Sequence, residues 1–170
     1  MMEIDNRAMP VFLAYETIDS VIIQVQGIAT YAEAPLLNKF LENSLKRSYK
    51  KYCILFNKCE GIDSTCLGVL AGLLLKLRAN KGMCLFCGLR PRQLECVQIV
   101  GLDKMAYIAD DIPSSISSQV KISQPTCRDT VPELSSQLVL DAHKFLIEVC
   151  AKNKAHFKDI VLLLEKSSIF

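Results

Sequence analysis

The chain has 170 residues, of which 51% are hydrophobic, and a formal net charge of only +2. That length and composition fit one folded domain with a sizeable core, or one domain plus an extension, and exclude a disordered chain. The near-neutral balance excludes a general attraction to nucleic acid or to anionic membrane.

The amino terminus, MMEIDNRAMPVFLAYETIDS, lacks the basic and then apolar order of a secretory signal. The most apolar run, Cys66 to Leu75, is too short to cross a bilayer. A cytoplasmic chain without membrane insertion is expected, with its eight cysteines as free thiols that mostly fill core space.

Val11 to Tyr15 and the β-branched run Val21 to Gln26 predict an antiparallel hairpin, which Gly27 ends. Thr30 is placed to cap a helix whose apolar face is Leu36, Leu37, Phe40, Leu41 and Leu45. Tyr52 to Phe56 reads as a strand buried on both faces, followed by a helix from Ser64 to about Asn80. Met83 to Cys87 is a second buried strand. Pro91 opens a third helix, which Gly101 closes as its C′ residue, and Met105 to Ala109 is the last strand. This order predicts an α/β domain over 1–111: a mixed sheet in which an N-terminal hairpin precedes alternating helices and strands. The Ser-, Pro- and Thr-rich stretch 112–133 reads as a linker or irregular segment. Residues 134–170 read as a C-terminal helical pair, with Asn153 between the two helices as a cap.

Few residues suit catalysis. His143 and His156 read as exposed helix residues with no nucleophile elbow beside them. Cys84 and Cys87 match C-x-x-C, but residues three apart in a strand point to opposite faces, so the thiols can neither pair nor share a metal easily. Of the cysteines, only Cys66 has a physical case for a lowered pKa, because it lies at a helix amino end. No phosphate-cradling glycine motif occurs, and no cofactor is expected. The cluster Lys46, Arg47, Lys50 and Lys51 reads as a solvated helix carboxy end.

Asp63-Ser64-Thr65 stands between a strand and a helix, on the ligand-prone side of such a sheet. Ser64 is placed to accept a bond from a free N–H of the first helical turn, and the same groups can hold a phosphate. The helix that follows carries more apolar residues than one sheet-facing stripe needs. The surplus at Cys66, Val69, Leu73 and Leu77 calls for a second cover, either a partner or the C-terminal helical pair.

Ile62 to Gly68, Ala79 to Gly82, Arg90-Pro91 and Gly101-Leu102, in that order and spacing, resemble the core of a STAS domain of the anti-sigma-factor antagonist type, over roughly Met9 to Asp111. The resemblance implies partner switching without enzymatic activity. The unphosphorylated antagonist binds an anti-sigma factor that is also a serine kinase, the kinase phosphorylates the position of Ser64, and a protein phosphatase resets it. It further implies that Asp63 shapes the recognition surface, with Thr65 a neighbour or second acceptor. Two positions depart from the family pattern. Cys66 replaces a glycine where a kinase would approach, and Thr30 stands where an aspartate is common. The C-terminal helices resemble tails that could mediate self-association. Two other readings stand beside this one: a non-phosphorylated STAS adaptor subunit of a membrane transport complex, and a thiol redox or metal protein.

Overall fold

The computed structural model describes residues 10–122 and 132–167. Among the described residues, five strands form one sheet in the order β1-β2-β3-β4-β5. The strands β1 (Phe12–Glu16) and β2 (Ser20–Ala29) pair antiparallel, and β3 (Lys51–Ile62), β4 (Met83–Cys87) and β5 (Tyr107–Ala109) continue the sheet in parallel. The helices α1 (Ala34–Lys46), α2 (Ser64–Ala79) and α3 (Pro91–Ile99) make the crossovers, and a single 3-10 turn at Leu102–Lys104 leads into β5. This is the mixed α/β architecture expected from the element order.

Strand alternation sorts the core. Tyr52, Ile54 and Phe56 of β3 face α1, α2 and α3, and Phe56 meets Phe86 of β4 edge to face at 5.3 Å. Cys53 and Leu55 face the other way, with Tyr15, Ile22 and Cys87. Cys84 lies in the first cluster and Cys87 in the second, so the C-x-x-C pair is split across the sheet.

Two stretches differ from the sequence reading. Gly27 does not end β2. It sits at φ +65° between two register shifts in the β2–β3 ladder, and pairing resumes through Ala29↔Ile62. Only glycine adopts that φ without strain, and the bulges let a polar stretch of β3 stay in the sheet. Gly101, at φ +78°, does close α3 at C′ as expected. Within the stretch read as irregular, Ser114–Ile122 forms a helix, α4. Ile112 and Ile116 pack on the second face of the sheet, so tertiary burial outweighs a serine-rich sequence of low helix propensity. Residues 123–131 of the expected linker lie outside the described residues.

The C-terminal pair is present as α5 (Ser136–Val149) and α6 (Asn153–Ser167). Ser135 caps α5 by accepting the Leu138 N–H at 3.1 Å. Asn153 does not cap α6 with its side chain. It is fully buried, and its Nδ2 donates to the carbonyls of Val100 (2.9 Å) and Leu146 (2.7 Å), tying α6 to the end of α3 and to α5. Among the described residues, no helix is long and apolar enough to cross a membrane.

Candidate functional site

The long ladder of β2 and β3 carries both strand ends to one edge. Asp63 follows β3 directly, and its N–H donates to the Ala29 carbonyl at 3.0 Å. Its side chain then does two jobs. One carboxylate oxygen accepts the Cys66 N–H at 2.9 Å and caps α2; the other accepts the Tyr31 N–H at 2.6 Å and pins the loop after β2. Asp63, not Ser64, is therefore the N-cap, because it is the residue with extended backbone immediately before the first helical turn.

Thr30 is not the cap of α1 either. The chain makes one extra turn before α1, and the Glu33 carboxylate accepts both the Thr30 N–H (3.0 Å) and the Thr30 hydroxyl (2.8 Å). Glu33 thus places a carboxylate next to Thr30.

Ser64 begins α2 and is half-buried. Its Oγ lies 3.1 Å from Nε2 of His143, on α5. The other ring nitrogen, Nδ1, lies 2.7 Å from the Val139 carbonyl. A carbonyl only accepts, so Nδ1 carries the proton, and in the neutral ring Nε2 accepts from the Ser64 hydroxyl. Phe157 of α6 packs edge-on against the imidazole at 5.2 Å. His143 is 2% exposed, which corrects its reading as a surface residue. The signal was its spacing, since Val139, His143 and Leu146 share one side of α5.

Thr65 and Cys66 are buried, so neither presents its side chain at the surface. The Cys66 thiol donates to the Thr30 carbonyl at 3.2 Å. Burial, reinforced by Asp63 and Glu33, pushes the Cys66 thiol up. The sequence argument for a reactive thiol at a helix amino end fails because desolvation and two carboxylates outweigh the helix dipole. Cys53 and Cys87 have their sulfurs 3.7 Å apart, and the shared hydrogen bond together with burial holds Cys53 in its protonated form. Burial also pushes Cys84 up. Protonated thiols are poor nucleophiles and poor metal ligands.

What the site exposes was not singled out in the sequence. Ile28 is 60% exposed and Tyr31 is 56% exposed, both on the edge that Asp63 pins. A cleft of about 290 Å³ adjoins Ile28, lined also by Glu60, Ile62 and Arg92 among others. Large apolar side chains beside a polar turn make a surface suited to a protein partner. Alternation could not reveal Ile28, because the bulges at Gln24/Gln26 and Gly27/Ile28 alter the face on which later residues fall.

This fold and site define a small α/β domain built around a strand-to-helix turn bearing Asp63 and Ser64. The STAS domain family model matches residues 12–119, and the chain belongs to that family. Several solved structures share the fold. The anti-sigma factor antagonist SpoIIAA in its unphosphorylated form is 15% identical with a TM-score of 0.55, the match covering 65% of this chain and 98% of that one. The Bacillus cell fate determinant SpoIIAA in its phosphorylated form is 17% identical, with a TM-score of 0.53 and coverage of 64% and 98%. A putative anti-sigma factor antagonist from Thermotoga maritima is 22% identical, with a TM-score of 0.56 and coverage of 64% and 94%. No curated protein sequence matches this chain.

Proposed function

We propose that this chain is a phosphorylation-regulated anti-sigma-factor antagonist that acts by partner switching. Unphosphorylated, it binds an anti-sigma factor that is also a serine kinase. Phosphate on Ser64 ends that complex, and a protein phosphatase restores it. The observation that carries this reading is the placement of Ser64: a half-buried residue at the first position of α2, directly after Asp63, whose carboxylate holds the loop that bears the exposed Tyr31. Likeness of fold to an antagonist solved in both unphosphorylated and phosphorylated forms supports it.

The physical roles follow. Free N–H groups at the start of α2 favour an anion there, so the helix tolerates the phosphate. The added charge of about −2 next to Asp63 acts against a partner docked on the Ile28–Tyr31 edge, by repulsion and desolvation. Thr65 is 4% exposed, which leaves Ser64 as the acceptor of the pair. Asp63 holds the turn in shape, and Thr30, Thr65 and Cys66 support it from beneath.

One observation favours a second reading. The Ser64 hydroxyl is already engaged by His143, as it would be in an adaptor of a membrane transport complex that needs the serine only for structure. Mapping phosphate on the protein isolated from its own cells separates the two. The tryptic peptide Cys59 to Lys76 carries both Ser64 and Thr65, so fragment ions must resolve them. Phosphate on Ser64 is expected, and none on Thr65. An unmodified peptide across growth and stress conditions would refute the switch and leave the adaptor.

A further inference from the structure

Ser64, Gly68 and Gly72 recur every fourth residue and so form one stripe along α2. The helix α5 lies against that stripe at backbone distance. A Cβ at Gly68 would stand 2.3 Å from the Ala142 carbonyl oxygen and 2.7 Å from the Ala142 Cβ. A Cβ at Gly72 would stand 2.8 Å from the Phe145 ring. Below it, the Lys76 ammonium lies 5.9 Å from the centre of the same ring. The chain's own C-terminal helix α5 thus covers the Gly68–Gly72 face of α2, whereas Cys66, one of the surplus apolar residues, meets the Thr30 carbonyl ahead of α1. At the head of the seam, the contact is the bond between Ser64 and His143.

That bond depends on the serine proton. In the tautomer fixed by Val139, Nε2 offers only a lone pair. A kinase transfers the γ-phosphoryl of a nucleoside triphosphate to Oγ: the bond from phosphorus to the leaving nucleoside diphosphate breaks, the Oγ–P bond forms, and the hydroxyl proton passes to a base of the kinase. The phosphate that replaces the proton carries acceptors and negative charge. It then faces a second acceptor, at the mouth of a seam that one turn further on has no room for a methyl group.

We propose that α5 and α6 are a releasable cap on Ser64, docked while Ser64 keeps its proton and freed when it carries phosphate. This rests on the reading of Ser64 as the phosphorylated residue. It adds that phosphorylation changes the chain's own α2 surface, uncovering the Gly68–Gly72 stripe, as well as repelling the partner.

The test is amide hydrogen exchange on the full chain with phosphoserine installed at position 64 during translation, compared with the unmodified chain and with Ser64→Ala. In the phosphorylated chain, α5 is expected to exchange at least about tenfold faster while β3 and β4 stay within about twofold. In Ser64→Ala, which loses the bond but adds neither bulk nor charge, α5 is expected to stay protected. Unchanged or increased protection of α5 in the phosphorylated chain would overturn the proposal, because the phosphate would then turn to solvent or be held by a doubly protonated His143. Equal release by Ser64→Ala would overturn it too, as would loss of protection throughout the sheet, since the cap would not be a separable element. Because the phosphate is installed, its absence from the cellular protein would remove the switch without touching this result. An unmoved α5 would remove the cap and leave the switch.

Discussion

Gly68→Ala is expected to destabilise the chain by about 2–3 kcal/mol and to lift α5 from α2. Helix propensity alone points the other way, since alanine for glycine in a helix interior gains about 1 kcal/mol. The seam decides the sign. The new methyl would meet the Ala142 carbonyl at 2.3 Å, and that atom belongs to the backbone of α5, which cannot rotate aside as a side-chain tip can. Relief requires shifting α5, and with it Leu146, which is fully buried, and the hydrogen bond between Ser64 and His143. Gly61→Ala is the control: its Cβ would meet only the Ile28 side chain at an ordinary 3.7 Å, and a change within about 0.5 kcal/mol is expected. Urea unfolding of both variants measures this. A Gly68→Ala chain as stable as the parent would mean that α5 does not pack on α2 at backbone contact.

Asp63→Ala is expected to cost about 2–4 kcal/mol. Loss of an N-cap costs about 1 kcal/mol, and loss of a hydrogen bond to a charged acceptor about 1.5–3 kcal/mol, with the lower values suited to a half-buried group. The two bonds serve different elements: the one to Cys66 starts α2, and the one to Tyr31 holds the loop after β2. Asp63→Asn separates them. Its amide oxygen can still cap α2, but its NH₂ cannot accept from Tyr31, so about half the loss is expected. Chemical denaturation checks the stability. Amide exchange at Tyr31 checks the loop, which should open in both variants. If Asp63→Asn opened α2 but left Tyr31 protected, the division of labour between the two oxygens would be wrong.

Much of the sheet was legible because its strands are apolar and β-branched, as in Val21 to Gln26 and Tyr52 to Phe56, with turn residues at their ends. Helix punctuation was legible where chemistry forces it, as at Pro91 and Gly101. What stayed hidden depends on tertiary partners. The polar end of β3 pairs through its backbone, so its residue types carry no strand signal. The serine-rich α4 exists because Ile112 and Ile116 find an apolar face to cover. The Asp63-Ser64-Thr65 site was legible in position but not in the division of roles. The helix starts at Ser64 as expected, but Asp63 rather than Ser64 caps it, which frees Ser64 to reach across to α5. The burial of Cys66 and of His143 follows from what lies over α2, and its composition showed only that some cover was needed.

The most direct test of the partner switch is the affinity of the full chain for an anti-sigma serine kinase from its own genome, measured by calorimetry for the parent, Ser64→Ala and Ser64→Asp. Parent and Ser64→Ala are expected to bind within about threefold of each other, with Ser64→Asp at least about 100-fold weaker, a difference of about 2.7 kcal/mol. Equal binding by Ser64→Asp and the parent would contradict a switch at Ser64.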